Sequence, residues 1–215
     1  MKPSDPLNRE GCDGNRAPEL AIRNIIDMDM DFFLTYQSNK SLDRSCKLEV
    51  WTNPQAIFEK ILDIDSIIIS DMHVFEEHDE AFDILTNDSG QNLNIYHFDA
   101  HSDLYCSGAP ALELLRFGYR PCEGNFLRFV LEKNAIRHLT CVIPDWFDKM
   151  KFFYEEVPLV YQSRSDISVR HWADLELPQC KYEIVIARSV SYTPMMMDTL
   201  TDELINLIRF RIAGR

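Results

Sequence analysis

The sequence predicts an α/β protein, a three-layer α/β/α arrangement around a mostly parallel sheet. Three observations carry that expectation. Short apolar runs alternate with stretches of helical periodicity along most of the 215 residues. The runs read as buried strands, and strands covered on both faces by helices belong to parallel sheets. Two of the runs end in carboxylates, and the carboxyl ends of strands are where such sheets bind their ligands.

Taken in order, residues 1–18 are rich in Pro, Gly, Asn and charge and read as a flexible lead-in. Residues 19–215 then form one domain, long enough to bury a sizeable core. A buried strand is expected over 22–31. Asn53-Pro54 provides an N-cap followed by Pro at the first helical position, and Ile57, Ile61, Leu62 and Ile64 continue with partial helical periodicity. Ser66-Ile67-Ile68-Ile69-Ser70 is a short β-branched strand, with a charged helical stretch from about Glu76. A strand over 93–98 precedes helices over 109–117 and 125–133, and a strand over 138–143 precedes a helix over 145–155. Residues 159–162 and 167–172 are weaker strand candidates. A last buried strand covers 183–187, and Leu200, Leu204, Ile205 and Ile208 mark a helix over 195–212.

Composition narrows the function. Hydrophobic residues make up 46% and charged residues 27%, as in ordinary globular proteins. The formal net charge of −13 opposes binding to a nucleic acid and suits a cationic substrate or metal ions. Cys12, Cys46, Cys106, Cys122, Cys141 and Cys180 are scattered without a CxxC pair. With no apolar signal segment after Met1, they are expected to be reduced thiols in a cytoplasmic protein. No apolar run approaches the roughly 20 residues needed to span a bilayer, so no membrane partner is expected.

The richest stretch is His97-Phe98-Asp99-Ala100-His101-Ser102-Asp103. Residues i, i+2 and i+4 of a strand share a face, so Asp99, His101 and Asp103 can converge at a strand end. Asp27-Met28-Asp29-Met30-Asp31 ends a second run, and Asp71-Met72-His73 follows a third. Singly, Asp29 or Asp31 would serve as a turn or cap residue, and His73 as a surface histidine. Gathered together, the carboxylates would be costly without cations: like charges about 4 Å apart repel by roughly 4 kcal/mol at an effective dielectric of 20. Two divalent ions balance four carboxylates. Oxygen and imidazole donors without thiolate point to manganese ahead of iron, cobalt or zinc.

Asp99-Ala100-His101-Ser102-Asp103 resembles the DAHxD motif of the arginase (ureohydrolase) family. Asp29-Met30-Asp31 resembles that family's DxD strand, and Asp71-Met72-His73 stands where its upstream metal histidine would be. The DxD strand precedes DAHxD here, whereas in ordinary arginases it follows. That order resembles a divergent ureohydrolase-like branch that includes bacterial peptide arginases. The resemblance spans about residues 22–103, with a weaker echo near 189–194. It implies an arginase/deacetylase-like fold and two Mn2+ per chain. One ion would be held by His73, Asp99, Asp103 and Asp29, the other by Asp99, His101, Asp29 and Asp31. Asp27 then takes a supporting place behind the ligands, with the pair Asp27/Asp29 as the alternative to Asp29/Asp31. The implied reaction hydrolyses arginine side chains of a precursor peptide to ornithine and urea, Asp103 passing the proton to the leaving amine.

Two departures from ordinary arginases bear on the substrate. Their shuttle histidine follows a Gly-Asn-Leu segment, but Gly124-Asn125-Phe126-Leu127 has none. His78 is the substitute candidate, and Asn125 a substrate contact. Their guanidinium-binding glutamate is missing from Arg188-Ser189-Val190-Ser191-Tyr192, which leaves Glu76 and Glu77 to supply negative charge. Other readings stay open. A haloacid-dehalogenase phosphatase would use DxD but leave DAHxD unexplained. An EF-hand loop requires Gly where Phe32 stands. A mononuclear zinc amidohydrolase related to deacetylases and a non-catalytic, metal-dependent peptide-binding module are the nearest alternatives.

Overall fold

A computed structural model describes residues 22–35, 50–62, 67–87, 92–105, 110–133 and 135–214. The expected lead-in over 1–18 and Cys12, Cys46 and Cys106 lie outside the described residues. Six strands form one all-parallel sheet: β1 (Ile22–Asp29), β2 (Ile68–Phe75), β3 (Asn92–Phe98), β4 (Ala135–Ile143), β5 (Ile167–His171) and β6 (Lys181–Ala187). Their spatial order is β2-β6-β1-β3-β4-β5. The apolar runs anticipated the strands because burial on both faces removes the need for alternation.

Seven α-helices among the described residues cover the sheet: α1 (Pro54–Leu62), α2 (Ala81–Thr86), α3 (Ala111–Arg116), α4 (Phe126–Lys133), α5 (Lys149–Glu155), α6 (Leu159–Gln162) and α7 (Met196–Ala213). The Asn53 side chain accepts a hydrogen bond from the Gln55 amide at 2.9 Å, the N-cap expected for α1. Ile57, Phe58 and Ile61 of α1 and Leu204, Ile205 and Ile208 of α7 pack on one face against Ile26, Met28, Ile184 and Ile186. Ala81 and Leu85 of α2, Phe126 and Val130 of α4 and Phe152 of α5 pack on the other, against Ile25, Ile95, Cys141 and Val185. Two apolar layers therefore enclose the sheet, giving the three-layer α/β/α fold. No helix among the described residues is long and apolar enough to cross a membrane.

The topology positions the site. The chain leaves β1 through α1 toward the β2 edge, and leaves β3 through α3 and α4 toward the opposite edge. The two connections diverge, so a crevice opens at the carboxyl ends of the adjacent strands β1 and β3.

Several local expectations change. β1 ends at Asp29, and Met30–Phe33 turn into a 3-10 helix instead of extending the strand. β2 continues past Ser70 to Phe75, with a register shift against β6 between Ile69 and Asp71. The charged stretch after it opens as a 3-10 helix over His78–Glu80 before α2. Residues 159–162, expected as a strand, form α6. Pro158 fixes the approach of the chain, Tyr161 alone turns inward, and the Gln162 amide donates to the Val157 carbonyl at 2.8 Å.

Candidate metal centre

The two carboxylate-rich strand ends are built alike. At the end of β1, Asp29 Oδ1 accepts the amide N–H of Asp31 at 2.9 Å. At the end of β3, Asp99 Oδ1 accepts the amide N–H of His101 at 2.7 Å. Each is an Asx turn, in which an aspartate bonds the backbone two residues on and bends the chain out of the strand. The bend carries Asp31 and His101 over the crevice, leaving Asp29 and Asp99 at its floor. Asp103 sits at φ 51° and Ser189, after β6, at φ 49°. Left-handed backbone is uncommon outside glycine and concentrates at functional sites. Both residues touch this cluster.

Four groups of Asp and His side chains could each hold a metal ion: Asp31, Asp99, His101; Asp29, His78, Asp99; His97, Asp99, Asp103; and Asp27, His78, His97. His101 Nδ1 lies 3.4 Å from both Asp31 Oδ2 and Asp99 Oδ1. His78 Nδ1 lies 3.1 Å from Asp29 Oδ2, 3.3 Å from Asp103 Oδ2 and 3.4 Å from Asp99 Oδ2. Ser189 Oγ donates to Asp29 Oδ2 at 2.6 Å. All except His101 are almost wholly shielded from solvent.

Burial on this scale forces the carboxyls apart. Asp103 is pushed up to about 7 by burial and by the Asp99 charge. Asp31 rises well above the carboxylate range through burial and the charges of Asp29 and Asp99. Burial also raises Asp99, but the imidazoles of His101 and His78 beside it, with His97, outweigh burial and hold that carboxyl well below its ordinary value. Burial pulls the imidazoles of His78, His97 and His101 down, yet the surrounding carboxylates win and raise all three. A cluster that must hold protons to tolerate its own charge is one that divalent cations would neutralise.

The donor set fits such an ion. Asp31 Oδ1, Asp103 Oδ2, His78 Nδ1 and His97 Nε2 are buried without a hydrogen-bond partner. Orphaned buried polar atoms are rare and costly, and hard oxygens mixed with imidazole nitrogens suit a first-row divalent metal. The buried Asp/His cluster could therefore bind metal and is compatible with a metal-dependent enzyme.

Of the residues singled out from sequence, Asp29, Asp31, Asp99, His101 and Asp103 come together, with Asp27 beneath them. His73 does not join them. It lies on β2 level with Asp27, but β6 runs between β2 and β1. Two strand spacings, about 10 Å, separate the two positions, and His73 Nε2 instead lies 3.6 Å from Asp71 Oδ2. The imidazole that follows β2 into the cluster is His78, only 1% exposed and not on a solvent-facing helix.

The expected substrate contacts also move. Glu76 is exposed, its Oε1 3.6 Å from Arg188 Nε. Glu77 accepts from the Ser191 hydroxyl at 2.6 Å and the Ser191 amide at 3.2 Å, tying the loop after β2 to the loop after β6. Asn125 closes a turn: its Oδ1 accepts the Cys122 amide at 2.9 Å, and its own amide donates to the Cys122 carbonyl at 2.9 Å. None of the three lines the cleft. His97 and Ser189 belong to the cluster and were missed. His97 had a signal, since it stands two residues before Asp99 on the same strand face. Ser189 had only the weaker echo of the family resemblance near 189–194 and its place after β6.

Above the cluster opens a cleft of about 470 Å³. Asp29, Asp31, Asp99 and Asp103 form its floor, and Glu123, Glu155 and Glu156 carry the acidic character outward between Tyr105 and Tyr192. Among the described residues, neither lysine nor arginine lines it. The cleft attracts cations and repels anions. Comparison with known protein families, curated proteins and solved structures finds no match to this chain.

Proposed function

We propose that this chain is a manganese-dependent hydrolase that converts arginine side chains of a peptide or protein to ornithine with release of urea. The observation that carries the reading is a cleft lined by seven carboxylates, with no lysine or arginine among the described lining residues, above a buried Asp/His cluster. A permanently charged guanidinium is the side chain such a cleft would hold best. The resemblance of Asp99–Asp103 and Asp29–Asp31 to the arginase family supports the same chemistry, and the missing glutamate after β6 supports a substrate other than free arginine.

Asp29, His78, Asp99 and Asp103 would hold one ion, and Asp31, Asp99 and His101 the other. Bound divalent ions lower the pKa of water from 15.7 toward about 7, which supplies a nucleophile at neutral pH. The remaining work falls to the protein. Glu123, Glu155 and Glu156 draw the guanidinium to the mouth, and Asp31 and Asp103 face it from the floor. Attack of water oxygen on the guanidinium carbon and cleavage of its bond to the side-chain nitrogen yield urea and a primary amine. Asp103 Oδ2 takes the proton that water loses and returns it to the leaving nitrogen.

Urea release by the manganese-loaded chain, measured on a panel of arginine-containing peptides and on free arginine, tests this. Release from peptides with little from the free amino acid is the expected result. A faster rate on free arginine would reverse the substrate assignment. Two bound ions with tight peptide binding and no urea would make the chain a binding module, and one bound zinc would favour deacetylase-like chemistry.

A further inference from the structure

Asp27 is a fully buried carboxylate in the middle of an apolar layer, and the proposed reaction does not use it. It stands on β1 opposite His97 of β3, the parallel register placing both on the same face. Asp27 Oδ2 lies 2.8 Å from His97 Nδ1, and Oδ1 lies 2.9 Å from His78 Nε2. An ionised carboxylate only accepts hydrogen bonds, so each of those two nitrogens carries a proton and donates it. Once a bound cation takes the place of the second proton, the far nitrogen of each ring presents a lone pair. Those far nitrogens, His78 Nδ1 and His97 Nε2, are the two buried without a hydrogen-bond partner. Both face carboxylates: His78 Nδ1 toward Asp29 Oδ2 at 3.1 Å, and His97 Nε2 toward Asp99 Oδ2 at 3.4 Å and Asp103 Oδ2 at 3.7 Å. A divalent cation placed between those nitrogens and the carboxylate oxygens would satisfy both sets of atoms. The rings stack at 5.3 Å with an interplanar angle of 24°, and Phe126 closes the back of His78 at 4.6 Å.

We propose that Asp27 is a positioning residue that fixes the tautomers of two metal-binding imidazoles at once, and that His97 is a metal ligand beside His78. The proposal rests on the cluster binding a divalent ion, and not on arginine being the substrate. It divides the centre into unlike halves. The inner half offers two imidazoles with Asp29, Asp99 and Asp103. The outer half, at the cleft, offers Asp31, Asp99 and His101. More nitrogen favours the later first-row ions, so the inner half binds more tightly and prefers cobalt or zinc over manganese more strongly than the outer.

The test uses the full chain, stripped with a chelator and reloaded with Co2+, followed by proton NMR of the hyperfine-shifted imidazole N–H signals. Two slowly exchanging signals are expected, from the buried Asp27-bonded rings of His78 and His97, while His101, 26% exposed, exchanges faster. His97→Gln should remove one slow signal. Asp27→Asn, whose amide can accept from one ring only, should disturb at least one and weaken the tighter Co2+ step by about 10- to 100-fold, leaving the weaker step unchanged. A single slow signal in the unaltered chain would overturn the proposal, as would Asp27→Asn with the original spectrum and affinities. If Asp27→Asn does not fold, the signal count and His97→Gln decide alone. A chain that binds no divalent ion overturns both this proposal and the metal reading, whereas absence of urea release leaves it standing.

Discussion

Asp99 belongs to three of the four metal-competent groups, while Asp31 belongs to one. The difference predicts unequal mutants. Asp99→Asn should abolish binding of both ions, whereas Asp31→Asn should release one and keep the other. Metal per chain by elemental analysis reads both, and retention of full metal by Asp99→Asn would contradict its shared position. The histidines separate in the same way. His78→Gln should lower metal content, while His73→Gln on the far side of β6 should leave it unchanged. These residues differ in how far they were legible. The aspartates of β1 and β3 could be read because each motif lies within one strand end. The choice between His73 and His78 could not, because it depends on β6 lying between β2 and β1, a contact more than a hundred residues distant in sequence.

At the scale of elements, the two apolar layers have different work. Phe58 of α1 and Phe126 of α4 are both fully buried, but only Phe126 touches the imidazoles of the cluster. Either change to alanine should cost about 3–5 kcal/mol of stability, measured by denaturant unfolding. Phe126→Ala should also lower metal affinity, and Phe58→Ala should not; equal affinities would mean that α4 does not support the site. Strands and long helices were readable from burial and capping signals. The four-residue α6 was not, since a short apolar run such as Leu159-Val160-Tyr161 carries no period, and its conformation follows from Pro158 and from the Tyr161 hydroxyl reaching Glu132 at 3.2 Å.

For the molecule as a whole, the crowded acids link stability to pH and metal. Asp103, raised to about 7, and Asp31, raised well above its ordinary value, hold protons in the folded metal-free chain that the unfolded chain has released. Their contribution is present below the unfolded value of about 4 and is lost as pH rises through the folded values. The raised imidazoles lose theirs above the unfolded histidine range in the same direction. Asp27, lowered to about 2, and the lowered Asp99 act oppositely, but only in strong acid. The metal-free chain should therefore lose melting temperature between pH 4 and 7. Divalent ions compete with those protons, so the gain in Tm on adding manganese should widen over the same range. A gain that shrinks with rising pH would contradict this account.

The sheet order also sets a timetable. β1 lies between β3 and β6, so its second neighbour is the last of the six described strands to be synthesised. Until residues 181–189 emerge, β1 and β2 are unpaired on facing sides and Asp29 lacks the Ser189 hydroxyl that holds it. Domains form largely as synthesis proceeds, but here nearly every acidic ligand is made long before the strand that completes their support. The nascent chain carries an unfinished cation trap from the emergence of Asp103 until that of Ser189, and closure of the sheet and maturation of the site become one event.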